Sequence, residues 1–218
     1  MQSMRTTPGG LGLLAAFFVV AAGLACHGPT DPLTRGKERY GQCAPCHGAN
    51  GQGKPELAAP PIAGLPEWYL SAQLGKFRMG ARGDHVEDTA GLRMRSMSLT
   101  LPAEEDVTAV ARYIASLPRP PKAAAALVDG DAAHGQAGFA TCVACHGADG
   151  AGNPMLNAPP IAGQADWYLQ TQLKNFKRGV RGKSPNDKTG PTMQAIAASL
   201  DDQQIKDLAA WVASMPSH

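Results

Sequence analysis

Cys43-Ala44-Pro45-Cys46-His47 and Cys142-Val143-Ala144-Cys145-His146 are two copies of one C-x-x-C-H pentapeptide in this chain of 218 residues. The pattern is the attachment signature for c-type haem. Its two thiols form thioethers with the haem vinyl groups, and the histidine that follows is placed as the proximal iron ligand. The sequence therefore predicts two covalently bound haem c groups, attached through Cys43, Cys46, Cys142 and Cys145, with His47 and His146 as iron ligands.

Two other uses of paired cysteines fit the chain less well. With five Cys and six His in the chain, roughly 0.003 such pentapeptides are expected by chance, so two are not accidental. Paired zinc knuckles normally lie about 15–20 residues apart, whereas the two pentapeptides are separated by nearly a hundred. A thioredoxin-like redox motif expects a strand–helix–strand context, and no alternating strand pattern is visible.

The composition favours small bodies built around a cofactor. Apolar residues make up 44% of the chain but aromatic residues only 6%, which is lean for a core made of side chains alone. A large buried macrocycle in each half would supply the missing apolar volume. The formal net charge of +2 argues against nucleic acid as a partner.

The amino terminus has the pattern of a bacterial export signal. Arg5 precedes an uncharged run from Leu11 to Leu24, and small residues follow it, so residues 1–25 are predicted to be a signal peptide and the protein to be periplasmic. Cys26 is the cysteine left over by the two motifs. It is compatible with a lipidated amino terminus, a plain signal-peptidase cut or an uncleaved anchor, so membrane attachment through the amino terminus stays open. Residues 26–32 are predicted to form a tether.

An internal repeat organises the rest of the chain. Cys43 matches Cys142 at an offset of 99 residues, and the same offset relates many landmarks, including Pro60 to Pro159 and Met94 to Met193. A proline- and alanine-rich stretch separates the copies. We predict a first domain at residues 33–118, a linker at 119–130 and a second domain at 131–218.

The regular elements of each copy read as helices, so the fold class is all-α. Leu70, Leu74 and Phe77 recur at helical spacing, and the last helices carry one apolar face each. Asp201 with Gln204 predicts a capping box. Tyr113 and Trp211, at matching positions of the last helices, are expected to face the short first helices at Gly36/Tyr40 and Gly135/Phe139.

A second protein ligand on each iron would occupy the sixth coordination position and leave none for a substrate. Methionine is the residue type expected in that role. Met193 stands in a Gly-Pro-Thr context, which we interpret as an extended loop crossing the far face of the ring. Met94 matches it at the offset of 99, whereas Met97 matches Ile196. Met94 and Met193 are the predicted axial ligands, and Met97 is the fallback for the first haem.

Other repeated residues are candidates for supporting the haems. Pro60 and Pro159 could present carbonyls to the second ring nitrogen of the proximal histidines. Arg82 and Arg181 could donate to propionates, with a solvated face as the alternative. For Trp68 and Trp167, helix packing is the favoured interpretation over a propionate contact.

These residues resemble the dihaem cytochrome c4 group. Each copy reads C-x-x-C-H-G, P-x-I-A-G, W-Y-L-x-x-Q-L and F-x-x-G-x-R-G, followed by a late methionine, and the similarity covers about residues 33–217. It implies two tandem class I cytochrome c domains, each wrapped around one His/Met haem and related by an approximate two-fold axis. It also implies a periplasmic electron carrier between a respiratory donor and a terminal oxidase or reductase.

Two rival functions remain open at this point. One is a dihaem catalyst, such as a peroxidase or a sulfur-compound dehydrogenase, which would need an open or displaceable sixth position. The other is a dedicated cytochrome subunit of a dehydrogenase or oxidase complex. An electron-transfer protein without enzymatic activity, with redox proteins as partners, is the preferred interpretation.

Overall fold

The computed structural model describes residues 31–120 and 126–217, together with the isolated positions 2 and 4. Apart from positions 2 and 4, the predicted signal peptide lies outside the described residues, as do Cys26, most of the tether and part of the linker. No helix in the described part of the chain is long and apolar enough to span a bilayer.

Each copy folds into five α-helices, and the two sets follow the same order. The first copy contains α1 (Pro32–Tyr40), α2 (Ala44–His47), α3 (Glu67–Arg78), α4 (Thr89–Leu99) and α5 (Glu104–Ser116). The second contains α6 (Ala132–Gly138), α7 (Ala140–His146), α8 (Asp166–Lys177), α9 (Gly190–Ala198) and α10 (Asp202–Ser214). Within the described ranges the only β-pairings are two isolated bridges, so the predicted all-α class is confirmed.

The helix ends follow from local sequence. α3 begins after Pro66, whose fixed φ suits a helix start, and the chain leaves it through Gly80 at φ +70°. The predicted capping box at α10 is present: Asp201 accepts from the Gln204 backbone N–H, and the Gln204 side chain accepts from the Asp201 N–H.

The first and last helices of each copy pack closely, as predicted. The rings of Tyr40 and Tyr113 lie 5.3 Å apart, and Gly36 lies against the backbone of Ala109. In the second copy Gly135 lies against the backbone of α10 beside Trp211. The apolar faces of α5 and α10 form the two cores, in which Val107, Val110, Ile114, Ile205, Leu208 and Val212 are buried.

One prediction about local structure was wrong. The segment that carries Met193 is the helix α9 rather than an extended loop, and its counterpart α4 carries Met94. Pro191 stands in the first turn of α9, where proline lacks only an N–H that would have no helical partner. The Gly-Pro pair therefore begins a helix here.

Asp106 ties the two terminal helices of the first copy together. Its carboxylate is fully buried and accepts hydrogen bonds from Arg35 Nε at 2.8 Å and Arg39 Nε at 2.7 Å. The hydrogen bond from Arg35, with that from Arg39 and the charges of both arginines, outweighs the effect of burial and lowers the pKa of Asp106 from 3.8 to about 2. The carboxylate thus stays charged far below neutral pH.

Replacing Asp106 with asparagine should destabilise the protein at neutral pH and weaken its acid response. A depressed folded-state pKa contributes stability that is present above about pH 4 and is lost as the pH falls toward 2. The unfolding midpoints of wild type and Asp106→Asn should therefore converge over that interval. Thermal unfolding followed by circular dichroism from pH 2 to 7 checks this, with the exposed Glu105→Gln as the control. Equal midpoints at pH 7 would contradict it.

Candidate functional site

The two C-x-x-C-H motifs occupy equivalent positions in the fold. The first lies at α2 and the second at the end of α7, and in each the histidine is the last helical residue. The next residues, Gly48 and Gly147, have φ of +84° and +79°, values that glycine adopts without strain. The chain then turns back, and the N–H of Gly53 donates to the His47 carbonyl at 2.8 Å. Both imidazoles are buried.

Each imidazole is oriented by a proline carbonyl at the position that the sequence suggested. His47 Nδ1 lies 2.9 Å from the Pro60 oxygen, and His146 Nδ1 lies 2.9 Å from the Pro159 oxygen. This bond defines the tautomer and leaves Nε2 for a metal. Burial lowers the pKa of both histidines, against the opposing effect of these hydrogen bonds. The neutral imidazole that iron ligation requires is therefore favoured.

The cysteines do not have the properties of a thiol–disulfide catalyst. Burial raises the pKa of the Cys43 thiol to about 11, and it also raises the pKa of Cys142. Catalytic C-x-x-C thiols have lowered pKa values, because the thiolate is the nucleophile. The thioredoxin-like alternative thus lacks its electrostatic basis.

One cavity of about 600 Å³ is lined by both motifs. Its wall is mostly apolar and includes the four cysteines and two histidines of the two motifs. Met94, Met97 and Met193 also line it; Met94 and Met193 are half-buried, whereas Met97 is 40% exposed. The two repeat-matched methionines are thus brought to the same cavity as the histidines. Met155, at 87% exposure, is not.

Arg82 and Arg181 form a crossed network where the two copies meet. Arg82 donates to Gln73 at 2.9 Å in its own copy and to Gln172 at 3.0 Å in the other. Arg181 mirrors it, with Gln172 at 2.7 Å and Gln73 at 3.1 Å. Arg82 also donates to the Tyr168 hydroxyl at 2.9 Å. The two guanidiniums stack on Phe77 and Phe176.

This network has the donor set of an anion site. Arg82 is 8% exposed and its Nε, buried, has no hydrogen-bond partner. Among the described residues neither Arg82 nor Arg181 forms an ion pair with a carboxylate. Arg82 is buried and Arg181 is half-buried, so the two cations require negative charge nearby, and both line the cavity that the haem motifs share. The residues therefore fit a haem, whose propionates Arg82 and Arg181 would hold.

Trp68 and Trp167 differ in how well they fit the two interpretations, helix packing and a propionate contact. Trp167 borders the cavity, whereas Trp68 is absent from its wall. Each packs edge-on against the tyrosine that follows it, with ring centroids 5.8 Å apart. The helix-packing interpretation suits Trp68 best.

The residues that join the copies were not predicted from the sequence. Gln73 and Gln172 stand in the repeated Q-L block, and that repetition was their only signal. Lys76 and Asp187 form an ion pair between the copies at 2.6 Å, and the repeat does not reproduce it because Asn175 stands at the position equivalent to Lys76. A second ion pair between the copies, Arg178 with Glu87, is exposed.

Comparison with known proteins identifies the family. The cytochrome c family profile matches residues 33–118 and 132–216. A thiosulfate dehydrogenase electron acceptor of Thiomonas intermedia is 36% identical over 183 residues, covering 80% of this chain and 78% of that protein. Cytochrome c4 of Pseudomonas aeruginosa is 30% identical over 187 residues, covering 81% and 85%.

A solved structure supports the same fold. The thiosulfate dehydrogenase TsdBA of Marichromatium purpuratum superposes with a TM-score of 0.71 at 34% identity, covering 85% of this chain and 40% of that one. This chain thus spans less than half of that larger protein. With two tandem cytochrome c domains, this chain belongs to the cytochrome c family as a dihaem cytochrome of the c4 group, an electron-transfer protein with two covalently bound haem c groups.

Proposed function

We propose that the protein is a periplasmic electron carrier in which both haems have His/Met ligation. His47 and His146 are the proximal ligands, Met94 and Met193 the distal ones, and the four motif cysteines form the thioethers. The supporting observation is the repetition of the site: each copy has a buried imidazole bonded to a proline carbonyl at 2.9 Å and a repeat-matched methionine on the same cavity.

The bound haem supplies one-electron chemistry at iron. The chain contributes a fixed neutral imidazole, a soft sulfur ligand that raises the reduction potential, and a largely apolar surrounding that limits solvent access. Arg82 and Arg181 would balance the propionate charges at the domain contact. Because both proposed ligands are supplied by the protein, neither site offers a substrate position.

A spectrally resolved redox titration of the full-length holo-protein tests this proposal. We expect two one-electron transitions, and an iron–thioether charge-transfer band in the oxidised protein with the amplitude of two haems. Rapid carbon monoxide binding to the ferrous protein together with half the band amplitude would instead indicate an open haem. That result would reject the carrier function for one domain.

We further propose a thiosulfate-oxidising enzyme as the electron donor, because the relative from Thiomonas intermedia is named as the acceptor of thiosulfate dehydrogenase. The other candidate is a respiratory carrier that feeds a terminal oxidase, as the c4 resemblance implies. Stopped-flow mixing of oxidised holo-protein with a thiosulfate dehydrogenase and thiosulfate separates them. Reduction of both haems within the time of one enzyme turnover supports the thiosulfate-oxidising donor. Reduction no faster than with thiosulfate alone rejects that donor.

The proposed location is supported by the sequence pattern of residues 1–25. Attachment to the membrane through Cys26 remains part of the proposal, and mass spectrometry of the amino-terminal peptide tests it. A mature chain beginning at Cys26 with an added diacylglycerol mass would show lipidation, and an unmodified amino terminus would exclude it.

A further inference from the structure

Lys76 reaches from the first domain to the start of α9 in the second. Its Nζ lies 2.6 Å from Asp187 Oδ1 and 2.5 Å from Thr189 Oγ1. The Lys76 side chain is 15% exposed and that of Asp187 is 1% exposed. This is therefore a buried ion pair between the domains, rather than a solvated surface contact.

Asp187 in turn organises the first turn of α9. The same Oδ1 atom accepts from the Gly190 N–H at 2.9 Å and from the Thr189 N–H at 3.2 Å. Burial alone would raise the pKa of Asp187, but Lys76 and these two N–H groups lower it below its ordinary value. A charged Asp187 thus links Lys76 to the helix that carries Met193.

The first domain lacks this arrangement. At the offset of 99 residues the equivalent of Lys76 is Asn175, and the equivalent of Thr189 is Ala90. The two backbone positions are matched, since Lys76 O accepts from Arg82 N at 3.1 Å and Asn175 O accepts from Arg181 N at 3.0 Å. Asp88 still caps α4 through Gly91 N–H at 2.9 Å, but in the described part of the chain it has no ion-pair partner.

We propose that Lys76 is a positioning residue for the methionine side of the second haem, supplied by the first domain. The proposal rests on the proposed His/Met ligation. Loss of Lys76 would leave a buried carboxylate without its counter-charge, which is a costly change. Among the described residues the first haem has no buried pair of this kind, because the cross-domain pair beside α4, Arg178 with Glu87, is exposed. An added ligand should therefore displace Met94 more readily than Met193.

This inference is tested by titrating the ferric full-length holo-protein with imidazole and measuring the iron–thioether charge-transfer band. The wild type should lose the band in two steps, and the step at lower imidazole should be absent in Met94→Ala. Lys76→Asn should lower the imidazole concentration of the second step about tenfold. Lys177→Asn, which removes a lysine paired with Asp202 at 3.5 Å, is the matched control and should leave both steps in place.

The reciprocal variant provides an independent test. Asn175→Lys combined with Ala90→Thr should recreate the contact toward Asp88 and raise the imidazole concentration of the first step severalfold. If Lys76→Asn behaves like Lys177→Asn while the wild-type band is normal, the inference is overturned and the proposed ligation stands. A wild-type protein without the band rejects the ligation itself. If Lys76→Asn does not assemble, an unchanged first step in the reciprocal variant overturns the inference.

Discussion

Replacing Met94 with alanine should remove about half of the iron–thioether charge-transfer band of the oxidised protein. Met94 and Met97 are three residues apart on α4, so both lie near the same face of the helix, and both line the cavity. Met94 is the more buried of the two, and only Met94 has a methionine at the matched position of the other domain. We therefore expect Met97→Ala to keep the full band.

Met94→Ala and Met97→Ala should also differ in the reduction potential of the first haem. Axial ligands tune haem potentials over a range of about 0.8 V, and a thioether ligand raises the potential. Met94→Ala should thus lower the potential of one haem by an amount on the order of 0.1 V or more. Met193→Ala should do the same to the other haem and serves as the positive control. Loss of half the band in Met97→Ala, with Met94→Ala intact, would assign Met97 to the first iron.

Features that repeat in the sequence could be predicted from it. The C-x-x-C-H motifs predicted two covalently bound haems, and the offset of 99 residues paired Met94 with Met193. The proline carbonyls were also predictable: each lies 13 residues beyond its histidine, and a metal-bound imidazole needs such an acceptor. Apolar spacing and capping residues were sufficient for α3, α5 and α10, because those signals are local.

Features that break the repeat or join the domains could not be predicted. Lys76 and Asp187 are 111 residues apart, and no local sequence pattern predicts that they form a pair. The repeat does not predict this ion pair either, because Asn175 stands at the position that matches Lys76. The helix α9 was missed for a different reason: a Gly-Pro pair is compatible with both a loop and a first helical turn. In the structure the Asp187 carboxylate accepts from the Thr189 and Gly190 N–H groups where this helix begins.

Gly36→Ala and Gly135→Ala should each destabilise the domain that contains the change. A Cβ atom at Gly36 would lie 2.1 Å from the Ala109 carbonyl oxygen, and one at Gly135 would lie 2.0 Å from the Asp207 carbonyl oxygen. Both obstacles are backbone atoms of the last helix, so no side-chain rotation relieves the overlap. Forcing the helices apart should cost about 3 kcal/mol of unfolding free energy.

Gly75→Ala is the matched control for this prediction. Gly75 lies inside α3 and has no heavy atom within 4 Å of an added Cβ. Alanine should therefore stabilise the helix by up to about 1 kcal/mol. Guanidinium unfolding of the holo-proteins measures all three. A Gly36→Ala midpoint equal to that of wild type would mean that α1 can move away from α5 at little cost.

The two destabilised variants should differ in their effect on haem. The Tyr40 hydroxyl of α1 donates to the Gly48 carbonyl at 2.6 Å, which links that helix to the first proximal loop. Burial raises the pKa of Tyr40 to about 12, so the donor proton is retained over the whole working range of pH. Phe139 occupies the matched position in the second domain and has no hydroxyl. Gly36→Ala, which displaces α1, should therefore change the spectrum of the first haem before global unfolding. Gly135→Ala should lower stability with little change in the native spectrum of the second haem.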